Sequence, residues 1–465
     1  MQVRQVVSSY SVVQSHNSKE AGIWVTYKDG IYDITDFMIG HPGGDKILLA
    51  AGSSVEPFWD LYAIHRSPEV YEILESLRIG NLHPEDKVAR PAVNPNDPYK
   101  HDPARHPALK VNSAKPFNAE APGSLLADNF ITPNDLFFVR NHLPVPKVDP
   151  KKFRLQVGGK QFALEDLKQK FKQHSVIATV QCAGNRRSEL SKLKAVNGLS
   201  WSHAAISNAE WTGVLLSDLL TSAGINGEDY KHCILQGLDT DGEGNPYEAS
   251  IPMETASDPK KEAIVAFEMN GQELPLDHGF PLRVIVPGTV GARQVKWVKM
   301  ISASQEESYS HWQRKDYMLF SPSTGHDTAD YDKAVAIQEY PTQSAICEPR
   351  NGATIEGSEV TLRGYAWSGG GRGIMRVEVT PDGGKTWYEA DMHGDEQQKR
   401  HQQWAWVLWE VAVPVPDGAS DMSIACRAID SSHNSQPEKL ESVWNIRGLI
   451  NNAWHHINLK VDNED

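Results

Sequence analysis

The chain has 465 residues, 40% of them apolar and 23% charged, with a formal net charge of −14. That length is too great for one hydrophobic core, so roughly two to four domains are expected in an ordinary globular chain. The acidic balance argues against a nucleic-acid binder and favours a basic partner. No apolar run approaches the ~20 residues needed to span a bilayer, so no membrane insertion is expected.

Met1 to Gln14 carries neither a secretory nor an Arg-rich transit pattern. A cytosolic protein, or one whose targeting segment has been removed, is the expectation. The last residues, Asp-Asn-Glu-Asp465, are no sorting signal. The four cysteines (182, 233, 347 and 426) are far apart, without a C-x-x-C. This excludes a disulfide scaffold, a zinc ribbon and a cysteine-held iron–sulfur cluster. Cys233 and Cys426 sit in strand-like runs and read as core; Cys347 is uninformative.

Residues 5–83 read as one small α+β domain. Ile23–Tyr27 and Ile31–Ile34 form a predicted hairpin around Lys28-Asp29-Gly30. Ser67 is a good helix N-cap with Pro68 behind it. Val70, Ile73, Leu74 and Leu77 then recur at helical spacing up to Gly80. Between hairpin and helix lie His41-Pro-Gly-Gly44 and, further on, His65, each after apolar or aromatic sequence. Two neutral imidazoles suit haem iron, and paired glycines let the backbone approach a flat group. By itself HPGG is only a tight turn. In this arrangement the segment resembles the cytochrome b5 family, which implies haem b held by His41 and His65 and used for electron transfer.

Residues 84–96 contain three prolines, several charges and no periodicity, and read as a semi-stiff linker on which the small domain could move. From 97 to 325 the composition is that of a larger α+β domain. Strands are predicted at Phe153–Val157, Val176–Val180, Pro281–Pro287 and Gly291–Val298, with a short helix after Trp211-Thr-Gly213. From 340 to 465 short runs alternate with turn signals: Val360–Trp367, Met375–Thr380, Trp404–Trp409 and Met422–Arg427. Pro381–Gly384 reads as a turn. This is the pattern of an all-β, immunoglobulin-like sandwich. The predicted fold class is therefore multidomain α+β with a C-terminal sandwich.

The most informative stretch is Thr179-Val-Gln-Cys-Ala-Gly-Asn-Arg-Arg-Ser-Glu189. A lone thiol after an apolar strand is ordinarily an inert core residue. Here small residues and two arginines follow it. A thiolate is a soft metal ligand that nearby cations favour, and Arg187 could clamp an oxyanion with its planar fork of donors. Polar clusters recur at Phe137–His142, Asp277–Arg283 and Gly291–Val298. They could serve a phosphate-bearing group in a chain with no Walker A loop and no G-x-G-x-x-G after a strand.

Phe-Phe-x-Arg-Asn-His, Gln-Cys-Ala-Gly-Asn-Arg-Arg, His-Gly-Phe-Pro-x-Arg and Gly-Ala-Arg-x-Val-Lys-Trp together resemble the sulfite oxidase family of molybdenum enzymes. The resemblance implies a molybdenum–molybdopterin cofactor with Cys182 as the protein ligand to molybdenum. It implies cofactor contacts from Phe138, Val139, Arg140, Asn141, His142, Asp239, His278, Arg283, Gln294, Val295 and Lys296, with Arg293 beside the phosphate. It places Arg140, Arg187 and Arg447 around a small oxyanion, Trp201 as a wall and Tyr317 as a hydroxyl donor. With the haem module first and no flavin–nicotinamide domain, the layout is that of the family's animal-type branch. That implies oxidation of sulfite to sulfate, cytochrome c as acceptor, a homodimer and the mitochondrial intermembrane space. Two alternatives stay open: nitrate or sulfoxide reduction on the same metal site, and a b-type haem carrier fused to a non-catalytic binding module.

Overall fold

A computed structural model describes residues 6–59, 61–83, 86, 97–394 and 398–462. Of the expected linker at 84–96, all but Asp86 lies outside the described residues. The chain divides into two compact units, Met1–Lys100 with Arg105–Ala108, and His101–Ala104 with Leu109–Asp465.

The smaller unit is built on a five-stranded sheet in the spatial order Val6–Ser8, Arg78–Leu82, Gly30–Asp33, Gly22–Tyr27, Asn17–Ser18. The expected hairpin is present, Trp24 pairing with Asp33 and Tyr27 with Gly30. Its turn forces Lys28 to φ 51°. Ile23, Val25 and Tyr32 face inward onto Met38, Val55 and Leu74. Leu74 lies on the helix Pro68–Ser76, which starts after an extended Ser67. The helix stops at Ser76. Gly80, expected as its terminator, lies instead in the strand Arg78–Leu82, opposite Val6 and Ile31.

The larger unit contains the expected α+β part and the expected sandwich. One of its sheets orders Lys160–Phe162, Leu155–Val157, Val298–Ser304, His232–Thr240 and Pro246–Pro252. Another runs Gln173–Gln181, Ile206–Leu215, Ile264–Met269 and Gln272–Glu273, with Arg283–Ile285 pairing Ile264–Met269. The helix Leu216–Ser222 follows Ile206–Leu215 directly, as the Trp211-Thr-Gly213 cue suggested. The sandwich packs Gln343–Glu348, Glu359–Trp367, Val407–Pro414 and Asp391–His393 against Thr354–Glu356, His455–Asp462, Asp421–Asp430, Ile374–Thr380 and Tyr388–Glu389. Alternate residues such as Val360, Leu362, Ile424, Ile457 and Leu459 fill the space between its sheets.

Two strand expectations are corrected. Gly291–Val298 is not a strand: Gly291–Arg293 is a 3-10 turn, and the strand starts only at Val298. Trp297 at φ 51° breaks the extended run. Gly291 also lies so close to the Gln181 carbonyl that a Cβ would stand 2.9 Å from its oxygen. In the second case, Trp404–Trp406 precede the strand Val407–Pro414, and the indole N–H groups of Trp404 and Trp406 donate to groups outside the sandwich. Trp404 donates to Glu262 (2.6 Å) and Trp406 to the Phe130 carbonyl (2.9 Å).

Cys233 and Cys426 are buried free thiols, as their strand-like surroundings suggested, and Cys347 is another. Burial pushes Cys233 up to about 12 and Cys426 up to about 11, which leaves both unreactive.

Candidate active site

The strand Gln173–Gln181 becomes wholly buried towards its end and delivers Cys182 into the interior. The Cys182 amide donates to the Ala205 carbonyl (2.9 Å), and its Sγ accepts from the Gly184 amide (3.4 Å). The chain turns there through Ala183 and Gly184. Arg186, at φ 62°, then opens the short helix Arg187–Leu193. The two arginines part company at this point. Arg186 is fully buried, pairs with Glu189 (2.6 Å) and donates to the Ala453 and Trp454 carbonyls (2.7 and 3.0 Å), making it a strut. Arg187 donates through Nε to the Gly448 carbonyl (3.0 Å) and through Nη1 to the Leu199 carbonyl (3.0 Å). A Cβ at Gly184 or Gly198 would stand 2.6 Å from its guanidinium, so a side chain at either position would displace the tip of Arg187, and the φ of 125° at Gly198 disfavours one there as well. Arg187 has Cys182, Tyr317, Arg140 and Arg447 as its electrostatic neighbours, and burial pushes it down from its ordinary value.

Cys182 opens on a cleft that is also lined by Phe138, Arg140, His142, Asp239, His278, Arg283, Gln294, Lys296 and Tyr317. Arg140 is set by the strand Val139–Arg140 and donates to Asn118 (3.0 Å). His142 Nε2 lies 2.6 Å from the Tyr317 hydroxyl. Burial first, then Arg140, Lys296 and Arg187, hold His142 well below its ordinary value, so the imidazole is neutral. Lys296 donates to Asn141 Oδ1 and to the Asp277 carbonyl (2.8 Å), and packs over Trp297 (4.3 Å). Burial lowers Lys296 and raises the nearby Asp239 carboxyl. His278 is pushed down to about 3 by burial and touches the Asn134 carbonyl (3.2 Å).

Several buried groups here are incomplete. Arg283 lies over Trp211 (5.1 Å), its Nη1 reaches only the His278 carbonyl (3.4 Å), and its Nε has no partner. Burial pushes it down to about 9. Asp239 Oδ1 and Gln294 Oε1 are buried without partners in the same cleft. Buried polar atoms are normally satisfied, so three orphans around one space indicate a polar guest. A dry, unpaired guanidinium calls for an anion such as a phosphate.

Not every expected residue reaches this space. Val139 and Val295 are packed into the main core, and Asn141 stands behind the cleft, bridging Lys296 and Asp277. Trp201 is fully buried in the apolar cluster that holds Cys182 and Phe138. Arg447 is half-buried and paired with Asp316 (2.7 Å), the neighbour of Tyr317. Arg293, expected beside a phosphate, is turned away. Its Nε, Nη1 and Nη2 go to the Ile337 carbonyl (2.9 Å), Gln313 (2.5 Å) and the Tyr317 carbonyl (3.4 Å). It therefore braces the Tyr317 segment instead of meeting a ligand. The sequence reading missed Tyr247, whose ring lies 4.9 Å from His142 and whose hydroxyl donates to the Ala292 carbonyl (2.8 Å). No local motif marks it. It also passed over Asp277, although that residue opens a polar cluster read as informative.

In the smaller unit, the His41 and His65 rings are 6.4 Å apart between centroids with planes inclined by 11°. Imidazole–metal bonds are about 2 Å long, so one ion fits between the two rings. Burial lowers both histidines, favouring the neutral, ligating form. Phe37 stands edge-on to His41 (5.9 Å) and Trp59 lies parallel to His65 (5.4 Å). A Cβ on Gly43 would stand 2.9 Å from the His41 ring, which explains a glycine in that turn.

Three family profiles match the chain: a cytochrome b5-like heme/steroid binding domain over residues 9–83, an oxidoreductase molybdopterin binding domain over 142–312 and a Mo-co oxidoreductase dimerisation domain over 334–462. Together they define a molybdenum oxidoreductase with a haem-binding domain, and its cofactors are molybdenum–molybdopterin and haem b. The mitochondrial sulfite oxidase of Homo sapiens is 53% identical over 457 residues, covering 97% of this chain and 83% of that protein. The sulfite oxidase of Gallus gallus is 51% identical over 451 residues, covering 95% and 97%. Among solved structures, the sulfane dehydrogenase SoxCD of Paracoccus pantotrophus is similar with a TM-score of 0.63 and 26% identity, covering 82% of this chain and 97% of that one. The chain belongs to the sulfite oxidase family. Among the described residues, no helix is long and apolar enough to cross a membrane.

The unpaired Arg283 makes a distinctive expectation. Arg283→Met should raise the melting temperature of the cofactor-free protein, because a desolvated charge is removed. The same variant should purify with little molybdopterin, measured by pterin fluorescence after denaturation. A normal pterin content would exclude Arg283 from cofactor binding.

Proposed function

We propose that this protein oxidises sulfite to sulfate and passes the electrons singly through its haem to cytochrome c. The carrying observation is the juxtaposition of Cys182, on a cleft with three incomplete buried polar groups, with Arg187, Arg140 and Tyr317. Identity of 53% with a sulfite oxidase over nearly the whole chain supports the substrate. When bound, the molybdenum–pterin group supplies the oxygen-atom transfer and accepts two electrons, chemistry that no side chain offers.

Cys182 holds the metal as a soft thiolate, and Arg283, Lys296, Gln294, Asp239, His278 and Phe138 hold the pterin and its phosphate. Arg140 and Arg187 orient the anion by charge-assisted hydrogen bonds, and Arg447, held by Asp316, adds its positive charge as an electrostatic neighbour of Arg187. The Tyr317 hydroxyl, fixed by His142, offers one more donor, and Trp201 backs the wall. His41 and His65 hold the haem iron. The dimerisation domain pairs two copies, and the mitochondrial names of the relatives support a mitochondrial location, within which the intermembrane space is our assignment.

The test is the visible spectrum of the anaerobic holoenzyme before and after sulfite. Reduced b-type haem bands are expected within one turnover. A haem that stays oxidised while molybdenum is present would sink the sulfite reading. Arg187→Met should raise the sulfite KM by about tenfold or more, the scale of one lost charge-assisted hydrogen bond. An unchanged KM would remove Arg187 from the anion site.

A further inference from the structure

The sequence contains four Asn-Gly steps, at 197, 226, 270 and 351. Asn-Gly is the dipeptide most open to spontaneous deamidation, because glycine leaves its amide nitrogen unhindered. The reaction needs a free asparagine carboxamide and a free following N–H. Three of the steps deny this. Asn351 Oδ1 accepts from the Asn458 amide (2.7 Å), while the Gly352 amide donates to the Asn458 carbonyl (2.6 Å). Asn270 is tied at both ends of its carboxamide, to the Glu210 amide (2.9 Å) and to the Thr132 carbonyl and Asn134 (3.0 and 2.8 Å). Asn226 caps a 3-10 turn by accepting from the Glu228 amide (3.3 Å).

Asn197 is different. Among the described residues it is exposed, as Asn226 and Asn351 are, but its carboxamide has no hydrogen bond and the Gly198 amide donates to nothing. Its position is also unlike the others. Gly198, at φ 125°, is the glycine packed on the Arg187 guanidinium, and the next residue, Leu199, supplies the carbonyl that Arg187 Nη1 grips.

We infer that Asn197 is a site of spontaneous modification that weakens the anion site through Arg187; the second half of this rests on the reading of Arg187 given above. The Gly198 nitrogen loses its proton and bonds to Asn197 Cγ, the Cγ–Nδ2 bond breaks, and ammonia departs. Water then opens the succinimide at either carbonyl, giving aspartate or isoaspartate. Either product adds a negative charge beside a site for an anion. Isoaspartate also inserts a methylene into the backbone next to Gly198, which moves the wall against which Arg187 rests.

The experiment is to age the holoenzyme at body temperature and mildly alkaline pH, then map peptides by mass and assay sulfite oxidation in parallel. Amide-to-acid conversion is expected at Asn197 before the other three Asn-Gly steps. The sulfite KM should rise by roughly threefold at low ionic strength, the scale of one added nearby charge, and less in salt. Asn197→Gln should stay unmodified and keep its KM on ageing, whereas Asn197→Asp should show the raised KM from the start. Ageing that converts another Asn-Gly step first, or none, overturns the modification site. Conversion at Asn197 with a normal KM in N197D overturns the link to the anion site. In that event a raised KM in R187M would show that the reading of Arg187 survives and only the coupling has failed.

Discussion

Replacing Cys182 by serine should lower sulfite oxidation by at least roughly a thousandfold, the scale of losing a group that acts directly at the reacting centre. The change is one atom in size, and of the contacts that fix the turn only the Gly184 amide, 3.4 Å from Sγ, involves sulfur; a serine oxygen can accept from it as well. The amide still donates to the Ala205 carbonyl, and the carbonyl still accepts from the Tyr340 hydroxyl (3.4 Å). The fold should therefore survive, and the haem spectrum of the resting protein should be unchanged. What is lost is a soft, polarizable ligand, for which a serine oxygen is no substitute. Turnover measured with an artificial oxidant, alongside molybdenum content, separates loss of metal from loss of reactivity. Turnover near that of the parent protein would end the assignment of Cys182 as the ligand.

The second large effect belongs to the smaller unit. His65→Ala should abolish sulfite-dependent reduction of cytochrome c while leaving turnover with a small chemical oxidant near normal. The reason is that His41 and His65 face each other at 6.4 Å, so removing either ring removes half of a two-point attachment. His65→Met keeps a ligating side chain and should retain haem with a shifted spectrum and potential, which distinguishes ligand loss from misfolding. Cytochrome c reduction unaffected in H65A would place the electron exit elsewhere.

Much of this architecture is legible in the residues because it depends on near neighbours. The hairpin at 22–33 follows from two short apolar runs around Lys28-Asp29-Gly30. The helix at 68–76 follows from Ser67, Pro68 and the spacing of Val70, Ile73 and Leu74. Cys182 can be anticipated at a strand end because the apolar run Val176–Val180 stops just before it. What stays hidden depends on partners far away in the chain. Arg293 reads as a phosphate ligand in its local context, yet Gln313, Tyr317 and Ile337 take every one of its nitrogens. Gly80 looks like a helix stop, but the neighbouring strands claim it. Gly198 looks like an ordinary loop glycine until Arg187 is seen lying on it. Tyr247 carries no motif and meets His142 from the strand Pro246–Pro252, more than a hundred residues further along the chain.

The segment from Thr179 to Arg187 is gripped by residues from beyond position 340. The Thr179 amide donates to the Trp404 carbonyl (3.1 Å), Gln181 exchanges amide hydrogen bonds with Gln343, and Asn185 donates to Tyr365 (3.0 Å). The Ile450 amide donates to the Ala183 carbonyl (2.7 Å), Arg186 reaches Ala453 and Trp454, and Arg187 reaches Gly448. A truncated enzyme ending near residue 325 would thus lack more than a means of pairing. It would expose a row of severed polar contacts on the back of the thiol loop, and no shorter piece of the larger unit can be treated as a portable catalyst.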